Sequence, residues 1–329
     1  MSKAKETTAL FRRYPELAGR IPWLPLCAGP TPVERVDPDA LGFPGAELWV
    51  KRDDLTSPLY GGNKVRKLEF LLAWARRKGA RRVITAGAAG SHHALATTVH
   101  ASGLGFKVSL VLFPQPLTPK VRQVLLLDHA FGAELRFTSR MQFGPAAMLT
   151  ARMAHLPDRP HVIPPGGSDA VGTLGYVSAA LELAEQVAAG EAPVPDVVHV
   201  TAGTLGTVAG LALGLSLAGL PTRIHATRVT SRIVTNERVL RRLVRGAARV
   251  LHAAGLPVEP EDALRRVVLR HDQIGAGYGR ETPAGRAAAE RFEASGLALD
   301  ATYTAKTAAS LLDELDDGVT GTHLYWHTL

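Results

Sequence analysis

The stretches Thr85-Ala86-Gly87-Ala88-Ala89-Gly90-Ser91 and Thr201-Ala202-Gly203-Thr204-Leu205-Gly206-Thr207 are two copies of one pattern, T-A-G-x-x-G-[ST]. Each copy follows an apolar segment typical of a buried strand and precedes an apolar segment typical of a helix. A strand, a glycine turn and a helix N-terminus together present free backbone N–H groups, which suit an anion. Two ordinary strand–helix turns that use glycine for tight geometry would show the same pattern. The repetition predicts two anion sites on two sheets, one for a cofactor phosphate and one for a substrate carboxylate.

Strand-like and helix-like segments alternate along most of the chain, which predicts an α/β protein with a largely parallel sheet. The predicted strands lie at residues 48–51, 82–85, 108–113, 197–200 and 223–230, and the predicted helices at 65–77, 91–102, 121–129 and 207–220. A chain of 329 residues is long enough for about two domains. The helices flank the sheets in such a fold, and proline-rich stretches mark candidate boundaries.

The sequence also disfavours several classes of protein. Neither glycine turn matches G-x-x-x-x-G-K-[ST] or G-x-G-x-x-G, which disfavours a phosphate-binding loop of the nucleoside triphosphatases and a site for NAD. The apolar stretch Leu205–Leu220 is shorter than the roughly 20 residues that span a bilayer, so it predicts a buried helix and no membrane partner. Met1–Leu10 contains no apolar run of the secretory type. With Cys27 as the single cysteine, we expect a cytoplasmic protein.

The net charge of +8 and the isoelectric point near 9.8 raise the question of a nucleic-acid partner. The basic residues form local clusters, such as Arg76-Arg77-Lys78, that lack interleaved aromatic residues and any nucleic-acid motif. We therefore expect a solvated, arginine-rich surface and no nucleic acid, although a basic field attracts anionic small molecules.

One of the nine lysines stands in an unusual sequence, Gly61-Gly62-Asn63-Lys64. Glycines let the backbone pass close to a ligand, and Lys64 stands where the following helix begins. A lysine near positive helix ends and away from water has a lowered pKa, and its neutral amine can form a Schiff base. A surface lysine at a helix start is the alternative that spacing alone leaves open.

The segment Asp53-Asp54-Leu55-Thr56, followed by Gly61-Gly62-Asn63-Lys64-Val65-Arg66-Lys67-Leu68-Glu69, resembles the cofactor-lysine segment of one enzyme family. This is the family of D-cysteine desulfhydrases and 1-aminocyclopropane-1-carboxylate (ACC) deaminases, which depend on pyridoxal phosphate (PLP). Similar motifs cover nearly the whole chain, at residues 29–32, 164–168, 277–279, 303–306 and 327–328. The resemblance implies the two-domain tryptophan synthase β-like fold (PLP fold type II), with residues 1–65 and 175–329 in the large domain and 66–174 in the small one. It also implies a homodimer.

The resemblance further implies roles for individual residues. Lys64 would hold PLP and move the α-proton of a small amino-acid substrate. The phosphate would be held by Gly203, Thr204, Leu205, Gly206 and Thr207, and the rest of the cofactor by Asn63, His92, Thr304 and Thr328. The substrate would be bound by Ser91, His92 and His93. Catalysis would further involve Ser91, Tyr278 and Tyr303.

The chain departs from the family pattern after the first glycine turn. The family usually has Ser-Asn-Gln or Ser-Asn-His there, whereas this chain has Ser91-His92-His93. The family asparagine donates to the PLP 3-oxygen, and we expect a ring nitrogen of His92 to do so here. Neighbouring residues on a helix point about 100° apart, so we expect no metal site from the two histidines.

The expected reaction is β-elimination from D-cysteine or a similar D-amino acid, giving pyruvate, ammonia and sulfide. ACC deaminases of the family tend to carry glutamate and leucine where this chain has Thr304 and Thr328, and the desulfhydrases carry small hydroxyl residues. A threonine does not keep the pyridine nitrogen protonated, but thiolate is a good leaving group and needs less assistance. ACC deamination and non-catalytic PLP binding are the alternatives.

Overall fold

The structure, a computed structural model, describes residues 7–329, so the first six residues of the segment Met1–Leu10 lie outside the described part. The strands are β1 (Val33–Arg35), β2 (Glu47–Arg52), β3 (Arg82–Ala88), β4 (Lys107–Phe113), β5 (Glu134–Phe137), β6 (Pro160–Val162), β7 (Val197–Ala202), β8 (Arg223–Arg228), β9 (Val267–Arg270) and β10 (Thr322–His327). The helices are α1 (Ala9–Arg13), α2 (Asn63–Arg77), α3 (His92–Gly103), α4 (Pro119–Ala130), α5 (Gly144–Ala154), α6 (Leu174–Ala188), α7 (Gly206–Ala218), α8 (Glu237–Ala253), α9 (Pro260–Arg265), α10 (Pro283–Ala294) and α11 (Thr304–Asp316). Every strand and helix predicted from the sequence is present, with ends displaced by a few residues.

The strands form two separate sheets. The larger has six strands in the order β1-β2-β10-β7-β8-β9, and the smaller has four in the order β5-β4-β3-β6. All neighbours are parallel except β1 and β2. Leu324 of β10 lies opposite Trp49 of β2 on one side and Val198 of β7 on the other. The last strand of the chain therefore pairs with one strand from its N-terminal part and one from its middle. The predicted α/β class with parallel-rich sheets and flanking helices is confirmed.

The small sheet takes its strands from residues 82–162, and the large sheet takes its strands from the segments before and after them. This arrangement is compatible with the expected domains. The boundaries at residues 66 and 174, and the homodimer, stay predictions.

Helix α7 is the buried helix that the apolar stretch Leu205–Leu220 predicts. Its neighbour α6 packs so closely that a Cβ added to Gly210 would lie 2.4 Å from the carbonyl oxygen of Thr173, and one added to Gly214 would lie 2.5 Å from that of Val177. Glycine at these positions therefore sets the distance between the two helices. None of the helices within residues 7–329 has both the length and the apolar character needed to cross a membrane.

A buried group of charged side chains joins the helices to the large sheet. Arg66 of α2 donates to Asp53 at 2.7 Å and to Glu182 of α6 at 2.9 Å. Lys51 of β2 donates to the same Glu182 at 2.6 Å. Asp53 also accepts hydrogen bonds from Tyr176 at 2.6 Å and Trp326 at 2.7 Å. Two cations and two anions thus share one water-free site, which is how buried charges are tolerated.

Glu182 shows how strongly these charges depend on one another. Burial alone would raise the pKa of its carboxyl, but Arg66 and Lys51 lower that pKa to about 2. The ordinary value of 4.5 applies to the unfolded chain. The contribution of Glu182 to folding stability is therefore complete above pH 4.5 and is lost as the pH falls toward 2.

We predict that Glu182→Ala lowers the free energy of unfolding by about 3–5 kcal/mol, because it leaves Arg66 and Lys51 buried with too little negative charge. Glu185→Ala on the same helix is the matched control. Glu185 pairs with Arg12 near the surface, so its loss changes that free energy by about 1 kcal/mol or less. Urea denaturation followed by circular dichroism measures both. Equal losses in the two variants would contradict the structural role of the buried group.

Candidate functional site

A cavity of about 750 Å³ lies at the carboxyl ends of β3 and β7, where α/β folds bind their ligands. Both glycine turns and the start of α2 contribute to its wall. The wall contains most of the site residues predicted from the sequence, namely Asn63, Lys64, Ser91, His92, His93, Gly203, Thr204, Leu205, Thr207, Tyr278, Tyr303 and Thr328. Segments more than 200 residues apart in the sequence therefore meet in one site.

Lys64 is the second residue of α2, which begins after a turn at Gly62 with φ of 92°. Its Nζ donates to Oδ1 of Asn63 at 2.5 Å, and Nδ2 of Asn63 donates to Oγ1 of Thr207 at 3.1 Å. Asn63 thereby ties the lysine to the second glycine turn. Removal from water lowers the pKa of Lys64 to about 8, so a substantial fraction of the amine is neutral near physiological pH.

The second glycine turn has the shape of an anion cradle. Leu205 has φ of 66°, a left-handed conformation that costs a non-glycine residue about 1–3 kcal/mol and is found at functional sites. Helix α7 begins at the next residue, Gly206, so its first N–H groups lack helical partners. A Cβ at Gly206 would lie 2.6 Å from Oγ of Ser168 and 3.1 Å from Nζ of Lys67. Only glycine leaves this space open.

Lys67 is a member of the site that the sequence analysis did not assign. Its Nζ donates to the carbonyl oxygen of Gly166 at 3.1 Å and to Ser168 at 3.3 Å, and within residues 7–329 it forms no ion pair. Burial, with a smaller effect of the Lys64 charge, lowers its pKa well below the ordinary value. A buried amine beside a helix N-terminus fits a phosphate group, whose negative charge would favour the protonated form of the amine. Its spacing from Lys64, three residues along a helix, was the pattern that could have revealed it.

The first glycine turn leads into α3. Oγ of Ser91 accepts a hydrogen bond from the N–H of Ala94 at 3.3 Å and so caps the helix. His93 is buried, with Nε2 2.9 Å from Oγ1 of Thr85, and burial lowers its pKa well below the ordinary value. The remaining backbone N–H groups at the start of α3 suit a carboxylate at this end of the cavity.

Aromatic rings form another part of the wall. His92 stacks on Tyr60 at 6.3 Å between ring centroids and meets the edge of Tyr303 at 6.4 Å. Tyr303 donates a hydrogen bond to the hydroxyl of Tyr278 at 2.6 Å. Burial raises the pKa of Tyr303 well above its ordinary value, so its phenol stays protonated.

His92 has protein partners at both ring nitrogens. Its Nδ1 lies 2.5 Å from the Tyr60 hydroxyl, and its Nε2 lies 3.8 Å from Oδ2 of Asp300. The hydrogen bond from His92 to the 3-oxygen of the cofactor stays a prediction.

Asp300 is a second residue that the sequence analysis did not assign. Its Oδ1 accepts from the backbone N–H of Tyr303 at 3.0 Å, and its Oδ2 accepts from Lys120 at 2.5 Å. Burial opposes ionisation, but His92 and Lys120 hold its pKa below the ordinary value. The carboxylate therefore holds the tyrosine segment against the histidine and against α4.

The two threonines of the sequence analysis have different positions. Thr328 lines the cavity, and its carbonyl oxygen accepts from the N–H of Asn63 at 3.2 Å. Thr304 is fully buried outside the lining, where its hydroxyl accepts from the backbone N–H of Asp300 at 2.7 Å. The structure therefore brings only one of the two to the cavity.

Comparison with known proteins agrees with this site. The family described as pyridoxal-phosphate dependent enzymes matches residues 24–322. The chain is 40% identical to nocardicin C-9' epimerase of Nocardia uniformis subsp. tsuyamanensis, over 94% of this chain and 93% of the relative. It is 36% identical to a D-cysteine desulfhydrase of Klebsiella pneumoniae, over 89% and 88%.

A solved structure agrees as well. The crystal structure of an ACC deaminase homologue superposes with a TM-score of 0.81 at 33% identity, covering 97% of this chain and 94% of that one. The match extends over both sheets and so confirms the fold of type II PLP enzymes. This chain belongs to the family of PLP-dependent enzymes that contains the D-cysteine desulfhydrases and the ACC deaminase homologues, and PLP is its cofactor.

Proposed function

We propose that the protein catalyses β-elimination from a D-amino acid such as D-cysteine, releasing sulfide, pyruvate and ammonia. The observation that carries this proposal is the charge of the cavity. Within residues 7–329 no Asp or Glu side chain lines it, while Lys64, Lys67 and Arg242 do. Without such a side chain, nothing in the wall keeps a pyridine nitrogen protonated, which favours a reaction with a good leaving group such as thiolate over the opening of the ACC ring.

The residues present fit PLP. Lys64 would hold the cofactor covalently, and the turn Gly203–Thr207 would hold its phosphate together with Lys67. When bound, PLP supplies an electron sink for the bond electrons at the substrate Cα. The buried amine of Lys67, which forms no ion pair within residues 7–329, and the space that Gly206 leaves open support this placement.

The side chains around the cavity supply the proton transfers of the proposed reaction. Nζ of Lys64 takes the α-proton, which its lowered pKa permits near neutral pH. Ser91 and the N-terminus of α3 orient the substrate carboxylate. Tyr303 donates its hydroxyl proton to Tyr278, so the Tyr278 hydroxyl would donate a proton to the departing group and Tyr303 would replace that proton.

Epimerisation at Cα is the second candidate. The 40% identity to nocardicin C-9' epimerase favours it, and the first step, removal of the α-proton by Lys64, is shared. The two reactions differ afterwards, because an epimerase returns the proton and releases no β-substituent.

We predict that borohydride reduction links the cofactor to Lys64 and that Lys64→Ala abolishes both this adduct and catalysis. Lys67→Met is the comparison variant. It should keep the adduct on Lys64 but weaken cofactor binding roughly tenfold to a hundredfold, as the loss of a charge-assisted hydrogen bond implies. Peptide mass spectrometry and equilibrium dialysis measure the two effects. An adduct on Lys67 in the wild type would refute the assignment.

A second prediction concerns pH. The neutral amine of Lys64 increases as the pH rises through about 8, instead of about 10.5 for an ordinary lysine. The rate at which the cofactor-free protein captures PLP should therefore rise with pH and level off above about 8. Rapid mixing followed by absorbance measures this rate. A rate that keeps rising toward pH 10.5 would show that Lys64 titrates as an ordinary lysine.

The reaction itself is tested with a panel of amino acids. We expect D-cysteine to give sulfide and pyruvate in equal amounts, ACC to give little 2-oxobutanoate, and Lys64→Ala to give neither. Deuterium incorporation and chiral analysis of D-alanine, which has no leaving group, test epimerisation in the same preparation. Efficient ammonia release from ACC with D-cysteine inert would overturn the proposal. Inversion of D-alanine without elimination from D-cysteine would establish the second candidate.

A further inference from the structure

The cavity extends well beyond the surroundings of Lys64. Its lining includes four apolar residues, Met141, Met148, Ile233 and Val239, and we call this part of the lining the mouth of the cavity. Ile233 is 87% exposed and Met141 is 56% exposed, although both are large apolar residues. Exposed apolar residues that cluster at a cavity mark a binding surface more often than isolated ones do. The cavity of about 750 Å³ is in the size range that encloses drug-sized ligands, and its volume is compatible with a substrate larger than D-cysteine.

One charged residue accompanies this apolar mouth. Arg242 lies three residues after Val239 on α8, so both side chains share the helix face that meets the cavity. Within the described part of the chain Arg242 forms no ion pair or side-chain hydrogen bond, whereas Arg245 pairs with Glu261 at 2.6 Å. Because no Asp or Glu side chain within residues 7–329 lines the cavity, the charge of Arg242 is available to a ligand.

We propose that the substrate is an S-substituted D-cysteine whose sulfur carries an elongated apolar group ending in an anion. The apolar group would pack on Met141, Met148 and Ile233, and its anionic end would pair with Arg242. This inference rests on the proposed function, because it names the leaving group of that elimination. It goes further in assigning the mouth of the cavity to the thiol that leaves.

The chemistry balances without an added oxidant or reductant. Lys64 removes the α-proton, the Cβ–S bond breaks, and the sulfur leaves with the bond electrons as a thiolate that takes up a proton. Water then hydrolyses the three-carbon fragment to pyruvate and ammonia. The products are one thiol, one pyruvate and one ammonia for each substrate.

Three probes test the proposal with the holoenzyme: D-cysteine, S-benzyl-D-cysteine and S-(4-carboxybenzyl)-D-cysteine. Pyruvate release gives kcat/KM for each. We expect both benzyl probes to be turned over, with the carboxylate raising kcat/KM about threefold to fivefold, as one partly exposed ion pair allows. Arg242→Gln should remove that difference. Arg241→Gln, an exposed arginine of the same helix outside the cavity lining, is the matched control and should keep it.

A further variant tests the apolar part of the mouth. Ile233→Ser should lower kcat/KM for both benzyl probes to a similar extent, because it changes packing and not charge. If D-cysteine yields pyruvate while both benzyl probes are inert, the inference is overturned and the proposed function stands. The inference is likewise overturned, and the proposed function stands, if Arg242→Gln and Arg241→Gln change kcat/KM for the carboxybenzyl probe equally. If none of the three probes yields pyruvate, the proposed function fails and this inference fails with it.

Discussion

The ion pairs of Arg66 with Asp53 and Glu182 determine how α2 lies in the molecule. Successive residues of a helix point about 100° apart, so a helix held at Arg66 is also held in rotation. Lys64 and Lys67 are three residues apart and share another face, which the anchoring of Arg66 turns toward the cavity. Burial of these charges is costly unless all are paired, so an orientation of α2 that separates Arg66 from its partners is disfavoured. The position of the Lys64 amine follows from the orientation of α2.

The electrostatic potential of the cavity depends on which charged groups line it and which are paired elsewhere. Two helix N-termini and two lysines supply positive potential, and the carboxylates of the neighbourhood are used elsewhere. Asp53 and Glu182 neutralise Arg66, and Asp300 neutralises Lys120. Removal of Lys64 from water then lowers its pKa without a nearby carboxylate to oppose the change. The same distribution leaves lysine and arginine side chains, and no Asp or Glu side chain, in the cavity lining within residues 7–329.

The aromatic wall connects segments that lie far apart in the sequence. Asp300 accepts hydrogen bonds from the tyrosine segment and from Lys120 of α4, and its Oδ2 lies 3.8 Å from Nε2 of His92 of α3. A histidine at position 92 can take part in this network because its second nitrogen is free to face Tyr60. An asparagine is shorter and would not span the same two partners. The departure from the family pattern therefore has a structural counterpart in this chain, which is the pairing of His92 with Tyr60 and Asp300.

The sequence by itself determined the α/β class, the two glycine turns, the special surroundings of Lys64, and those elements with a clear pattern, which are β2, β3, β4, β7, β8, α2, α3, α4 and α7. These features depend on periodicity, glycine and local spacing, which neighbouring residues encode. Lys67 as a buried amine, Asp300 as an anchor and the burial of Thr304 away from the cavity emerged only from the tertiary structure. Each depends on contacts between segments far apart in the chain, and no local pattern specifies which partners meet. The placement of Arg242 was decided in the same way, because the folded chain pairs Arg245 of the same helix with Glu261 and brings Arg242 to the lining of the cavity.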